Sequence, residues 1–317
     1  MAKLELTFAC GDYDRMQALL DGSVQTEGVE LHGQVIAPPN EMFGRMLLHE
    51  EFDASELSLS NYLMGLSQGD DRFVAIPVFP SRQFRHSYIW INTQARIREP
   101  KDLIGRRVGI PDYSMTALLY IRGLLQHEYG VRPRDVTWVR GRPEKAKLKL
   151  PEGIRVEDAP AGETLDSLLT SGRIDAIASA SVPACFAQGA PNVARLIPNA
   201  REVEAEYFRR TGIFPIMHTV VIRRCVHEAN PWLAGSLFAA LEASKRAAYD
   251  RIHRAHGLYS LPWLEEDLEE VSDLFGGDPY PYGVEPNRRT LEAAVSYSHE
   301  QGLSDRLLSL DELFASV

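Results

Sequence analysis

The strongest constraint in this chain is the order in which two periodicities alternate. Strand-like runs, whose successive side chains point to opposite faces, give way repeatedly to stretches with apolar residues at helical spacing. Residues 3–9 read as a first strand, the turn GDYD follows, and residues 15–20 read as a helix. VELHGQVIA, after Gly28, reads as a second strand, residues 40–49 as a helix, and FDASELSLS as an extended run before a helix near residue 61. This order predicts an α/β sheet with parallel strands, whose ligands collect at the carboxyl ends of the strands. Glu56, Ser58 and Ser60 share one face of the third strand at such an end, with Leu57 and Leu59 on the other.

A second unit of the same kind begins near residue 96. KDLIGRRVGIP leads into a strand, DYSMTALLYIRGLLQHEYG is a helix, VTWVRG is a strand, and GETLDSLLTSGRIDAIAS repeats helix then strand. The Lys-, Pro- and Gly-rich residues 142–160 read as a surface excursion within this unit. From MHTVVIRR onward one strand is followed by long helices over 231–256, 262–275 and 286–301. One α/β unit is therefore expected inside another. Residues 1–92 and 220–317 would form the first lobe and 93–219 the second, with crossings near 88–95 and 212–222 and a ligand cleft between the lobes.

A chain of 317 residues with 44% hydrophobic and 25% charged residues has room for about two globular domains. Its net charge of −10, from 34 Lys plus Arg against 44 Asp plus Glu, gives no long-range attraction to nucleic acid or an anionic membrane surface. An anionic ligand then needs a local basic pocket. Cys10, Cys185 and Cys225 lie far apart without CxxC spacing, which argues against a disulfide framework or zinc knuckle. The opening MAKLELTFACGDYDR lacks an apolar h-region, and no stretch reaches the roughly 18 apolar residues of a membrane span. The expectation is a soluble cytoplasmic protein without nucleic-acid or membrane partners, with homo-oligomerisation left open.

Several motifs fail on context. GLSQG, residues 65–69, matches GxSxG, but a nucleophile elbow needs a strand before the serine and a helix after it, whereas this stretch ends a helix with Gly69 as its cap. His253 and His256 stand three apart, yet Arg251 and Arg254 beside them make a solvated basic face the plainer reading. HExxH, Walker A and GxGxxG are absent. PDYSMTA, residues 111–117, is more informative because a strand ends where a helix begins, and free amides gather at such a terminus. Ser114 and Thr116 would offer hydroxyls there and Tyr113 a ring for stacking. SASVPACF, with Ser181, is a similar loop from the same lobe, and GIFPIMHTVV puts His218 at the return crossing.

The stretch FPSRQFRHSYIW places three cationic or titratable side chains in an aromatic run. Read as a strand, it sets Arg82, Phe84, His86, Tyr88 and Trp90 on one face and Arg85 on the other, where Arg85 is expected to be solvated. Arg82 and His86 flanking Phe84 would suit a planar anion.

ACGDYDR, EFDASELSLSNYLMGLSQGD, FVAIPVFPSRQFRHS, RRTGIFPIMHTVVIRR and PYGVEPNRRTLEAAVSYSHEQGLS together resemble the 4,5-dihydroxyphthalate decarboxylase family over nearly the whole chain. The resemblance implies a type II periplasmic binding protein fold used as a cytoplasmic enzyme. It also implies conversion of 4,5-dihydroxyphthalate to protocatechuate and carbon dioxide. Members commonly carry a basic residue just before the proline of the SASVPACF loop, where this chain has Ser181 and Val182. Such chemistry needs a proton donor to the ring carbon, an acceptor at the para hydroxyl and a cation on the ring's other acid group. His86 is the expected donor, Glu56 or His218 the acceptor, Arg82 the clamp and Arg45 a second clamp. No redox cofactor is expected, and a metal on His86, Glu56 and His218 stays open. The rival reading is a solute-binding protein for a small aromatic or dicarboxylate anion, against which the missing export signal counts. A weaker third is a pyrimidine-precursor synthase whose histidine is consumed.

Overall fold

The computed structural model describes residues 3–144, 148–254 and 258–317. In chain order the strands are β1 (Leu4–Cys10), β2 (Val29–Val35), β3 (Ala54–Ser58), β4 (Phe73–Ile76), β5 (Ile89–Asn92) and β6 (Arg107–Ile110). After these come β7 (Thr137–Arg140), β8 (Arg155–Asp158), β9 (Ala176–Ala178), β10 (Val193–Arg195) and β11 (His218–Arg223). They form a five-stranded sheet ordered β2-β1-β3-β11-β4 and a six-stranded sheet ordered β10-β5-β9-β6-β7-β8.

Both sheets are mixed: the second is mostly parallel as expected, with β6, β7, β8 and β9 paired parallel, while the first is parallel across β2-β1-β3 and antiparallel at β11. The departures are at the crossings: β5 enters the second sheet from β4 and pairs antiparallel with β9 and β10. β11 returns to the first sheet and pairs antiparallel with β3 and β4. A strand arriving from the other sheet has no helix folding it back over its neighbour, so no parallel crossover is imposed. β5 ends at the expected boundary yet pairs wholly in the second sheet. Helix Arg288–Glu300, from the segment assigned to the first lobe, packs on helix Thr116–Tyr129, which follows β6. A Cβ added at Gly123 would stand 2.2 Å from the Tyr297 ring, so glycine permits that helix approach.

The period of two buries both faces of each sheet. Leu6 and Phe8 of β1 and Val220 and Ile222 of β11 join Leu233, Leu237 and Leu241 of helix Leu233–His253. Ala9, Leu57 and Val221, one residue out of phase, meet Met42, Phe43 and Met46 of helix Pro39–His49. In the second sheet Ile89, Ile91 and Trp138 face one core while Trp90, Val139 and Ile177 face another. Each fully buried side chain of this size contributes about 1.5–3 kcal/mol relative to exposure. Around GLSQG, helix Leu59–Ser67 ends as expected, with Gly69 at a φ of +83° that a side chain would resist.

The segment between β4 and β5 is not a strand, and this overturns the face assignment made for it. Arg82 makes one isolated bridge to Ile216, and His86–Tyr88 is a single turn of 3₁₀ helix. Arg82 is buried and structural: its Nη1 donates to Asn287 Oδ1 at 2.7 Å and its Nη2 to the Phe214 carbonyl at 2.8 Å. Asn287 in turn donates to the Pro281 and Gly283 carbonyls, so the guanidinium ties three segments together. Phe84 packs into a cluster with Phe208, Phe214 and Phe275.

His86 lies beneath Tyr207 with ring centroids 5.1 Å apart, in a separate recess with Glu128 and Arg210. Its Nδ1 has no hydrogen-bond partner and stands 3.7 Å from Glu204. Burial, with a smaller contribution from Arg210, pushes its pKa down to about 4. His86 thus lies in a different recess from His218, and burial disfavours the protonated form that the expected donor role needs. Between pH 6.5 and about 4 the unfolded chain binds this proton and the folded chain does not, so stability falls on acidification by up to roughly 1.4 kcal/mol per pH unit. Above pH 6.5 the contribution is constant. Urea unfolding of wild type and His86→Gln across pH 4.5–7.5 should show the wild-type advantage shrinking as the pH falls, and a constant difference would refute a buried neutral histidine.

Candidate active site

A cavity of about 420 Å³ lies where the strand ends of the two sheets meet. Ser58 closes β3, Ser179 follows β9, and Thr116 opens the helix after β6. β11 runs against β3, so its first residue, His218, is delivered to the point where β3 ends, opposite Ser58. Glu56, two residues back on the same face of β3, is then the diagonal neighbour of His218.

Glu56 has no exposed surface and is held from three directions. Its Oε2 accepts from the Gly11 amide at 2.7 Å, just past β1. Its Oε1 accepts from the Tyr13 hydroxyl at 2.7 Å and lies 2.5 Å from His218 Nδ1. Burial works to raise the Glu56 pKa, but the His218 charge and the hydrogen bonds from His218, Tyr13 and Gly11 outweigh it and hold the carboxyl below its ordinary value. Burial and the neighbouring Glu56 push the Tyr13 pKa up, so Tyr13 stays a donor. The edge of Phe43 meets the His218 ring at 4.9 Å. With Nδ1 committed to Glu56, the other ring nitrogen of His218 is the one available to the cavity.

The expected hydroxyls are partly spent on each other. Ser58 Oγ and Thr116 Oγ1 are 2.9 Å apart, and the Ser60 amide donates to Thr116 Oγ1 at 3.1 Å, which joins the two sheets at the cavity floor. Both Ser58 and Thr116 line the cavity, but the Ser60 hydroxyl is buried without a partner and outside the lining. The anion seat expected at PDYSMTA is filled from within: the Tyr113 and Ser114 amides donate to Glu144 at 2.6 and 3.1 Å. The Tyr113 ring is buried beneath Arg122, 3.7 Å from its guanidinium, and cannot stack on a ligand. Ser114 and Ser181 do line the cavity.

The cations are redistributed as well. Arg45, on helix Pro39–His49, donates to Glu51 at 2.7 and 2.5 Å on a separate surface recess. Arg142 lines the cavity with its guanidinium held by Asp112 at 2.7 and 2.5 Å. Arg85, expected to be solvated, is 4% exposed and also forms part of the cavity wall. Its Nη1 donates to the Ala180 carbonyl at 3.3 Å, and its Nε has no partner. Burial lowers its pKa to about 10, so it stays charged at pH 7. Strand parity hid it, because parity holds only where the backbone is a continuous strand. Tyr13 and Gly11 were also missed, although GDYD sits immediately beyond β1 at a strand end.

The structure does not bring His86 to the Glu56–His218 pair, so the three do not form a metal site. Among the described residues the one group able to share an ion is Glu5, Glu30 and His32, all exposed on β1 and β2. His253 ends its helix, while His256 lies outside the described residues.

No family model matches the chain. A 4,5-dihydroxyphthalate decarboxylase from Comamonas testosteroni is 40% identical over 321 residues, 99% of this chain and 97% of the relative. A second, from Pseudomonas putida, is 41% identical over 215 residues, 66% of this chain and 83% of that one. Among solved structures, the periplasmic aliphatic sulphonate binding protein SsuA from Escherichia coli superposes with a TM-score of 0.57 at 14% identity, covering 99% of this chain and 98% of its own. The expected cytoplasmic location is corrected by that likeness. The fold is one carried by a periplasmic protein, so neither it nor the free cysteines support a cytoplasmic assignment. The two-lobed binding-protein architecture and the 40% identity to the Comamonas enzyme over 99% of the chain agree, and the chain belongs to the 4,5-dihydroxyphthalate decarboxylase family.

Proposed function

We propose that the chain removes one carboxylate from 4,5-dihydroxyphthalate without oxidation, giving protocatechuate and carbon dioxide, with His218 as proton donor and Glu56 as its positioning partner. The observation that carries this reading is the Glu56–His218 pair, 2.5 Å apart, with the imidazole on the cavity wall and the carboxylate sealed behind it.

An aryl anion is too unstable to form by simple loss of carbon dioxide, so the ring carbon is protonated first. The para hydroxyl supplies electron density to that carbon. Full ionisation of an ordinary phenol of pKa about 10 costs about 4 kcal/mol at pH 7, which is why partial donation through a hydrogen bond is preferable. The Nε2 proton of the His218 imidazolium passes to the carbon. The bond to the carboxylate then breaks, its electron pair returns to the ring, carbon dioxide leaves, and solvent returns one proton to the imidazole. Glu56 fixes the Nδ1–H and faces the positive charge of the imidazolium, as a buried acid does behind a catalytic histidine elsewhere. A binder with this fold would return its ligand intact, whereas this chain should release carbon dioxide continuously.

His218→Gln keeps a polar side chain but loses the transferable proton. The rate constant should fall roughly a hundredfold to ten-thousandfold with the Michaelis constant changed a few-fold at most. Single-turnover chemistry at the wild-type rate would remove His218 from the step.

Glu56→Gln sets an amide group against donors on both sides, since Gly11 N–H occupies one oxygen and Tyr13 and His218 the other. A buried mismatch of this kind costs about 1–3 kcal/mol, so urea unfolding should show that loss beside the fall in rate. Wild-type stability would show that the carboxylate charge is dispensable.

Because the electron push comes from the substrate's own hydroxyl, turnover is expected to survive dialysis against a strong chelator without added nicotinamide, flavin or pyridoxal. Activity that vanishes and returns with a divalent ion would give His218 a coordinating role instead.

A further inference from the structure

We propose that Arg85, with the hydroxyls of Ser179 and Ser181, is the subsite for the carboxylate that the reaction retains, and that this subsite limits the enzyme to a single decarboxylation. The inference rests on the reading of the cavity as a decarboxylation site.

A guanidinium taken out of water needs a partner of opposite charge or a full set of acceptors. Arg85 has neither. Its single hydrogen bond goes to the Ala180 carbonyl at 3.3 Å and its Nε is unsatisfied; the guanidinium lies over the Tyr88 ring, 4.8 Å from its centroid, and Glu204 acts on it without making an ion pair. Arg142, the other arginine on the cavity wall, is already matched by Asp112. Of the two arginines on the cavity wall, Arg85 is therefore the one without a carboxylate paired to it, its Tyr88 contact leaving room for an ion pair with the ligand. Its planar fork fits two oxygens of one carboxylate. Ser179 and Ser181, on the same loop as Ala180, add hydroxyls on the second-sheet side of the cavity. His218 belongs to the first sheet. A ring carrying adjacent acid groups can present one to each.

The chemistry gives this division a purpose. Protocatechuate still carries a hydroxyl para to its remaining carboxylate, so ring electronics alone would allow a second loss. A carboxylate paired with a buried guanidinium is stabilised in the ground state, and losing it as neutral carbon dioxide would strand the cation again. That raises the second barrier while the first carboxylate, at His218, is free to leave.

The test compares two competitive ligands that differ only in the retained group. Calorimetry on wild type should give protocatechuate at least tenfold tighter binding than catechol. In Arg85→Gln, protocatechuate should weaken tenfold or more while catechol changes less than twofold, with Arg85→Lys recovering part of the loss. Equal binding of the two ligands to wild type, or an equal weakening of both in the variant, would overturn the proposal. The wild-type comparison stands even if the variant fails to fold. Because binding is read without turnover, a wild type that selects protocatechuate but releases no carbon dioxide from 4,5-dihydroxyphthalate would defeat the decarboxylation reading and leave the subsite intact.

Discussion

A carboxylate with no exposed surface must be compensated where it stands or take up a proton. Glu56 is compensated by a backbone amide beyond β1, a tyrosine in the turn after it, and a histidine at the head of β11. β1, β3 and β11 are consecutive neighbours at the centre of the first sheet. The charge thus fixes the turn after β1, the register of β11 against β3 and the orientation of the His218 ring. The antiparallel entry of β11 is what makes this possible. A parallel strand would bring its carboxyl end to the cavity, and His218 would lie at the far edge of the sheet.

The same logic of compensation explains which polar groups are closed to a ligand. Glu144 occupies the Tyr113 and Ser114 amides, Asp112 neutralises Arg142, and Ser58 and Thr116 bond to one another. The helix terminus and the two hydroxyls were expected to meet an anion, and Arg142 lines the cavity, yet each is satisfied by the protein. Arg82 and Arg122 show that a buried guanidinium is not in itself a binding site. Arg82 is met by Asn287 and a carbonyl, and Arg122 by Gln301 Oε1 at 2.7 Å and the Tyr113 carbonyl at 2.8 Å; each keeps one unpartnered nitrogen, as Arg85 does, but neither lines the cavity. Both are joints between segments distant in sequence.

The alternation of strand and helix made the two sheets legible, because side-chain periodicity is a local property that burial on both faces reinforces. Glu56, Ser58 and His218 were legible for the same reason: they sit on or at the end of true strands, where position along the strand decides proximity to the cavity. The segment between β4 and β5 defeated that reasoning. Its 3₁₀ turn at His86–Tyr88 breaks the period of two, so Arg85 turns into the cavity while Arg82 and His86 turn into the protein. Nor was the partnership of Glu144 with the helix terminus readable. The two segments are 30 residues apart, and the carboxylate comes from a stretch whose composition suggested only a surface excursion.

What separates a binding cleft from a catalytic one in this fold is where compensation is left incomplete. A binder needs a site whose charges are met by the ligand and which then does nothing. In this cavity the two halves differ. On the second-sheet side Arg85 waits for an anion. On the first-sheet side Glu56 and His218 are already closed on each other, with Glu56 sealed and only the outer nitrogen of His218 turned to the cavity. A ligand gains no ion pair from Glu56 and His218, because they have one another. On the proposed reading a proton is what that pair offers: giving it up removes the His218 charge and leaves Glu56 held by hydrogen bonds from the Gly11 amide, the Tyr13 hydroxyl and the imidazole Nδ1–H until solvent reloads the ring. On the proposed reading the arrangement divides binding from chemistry between the two sheets, with the ring of the substrate as the bridge.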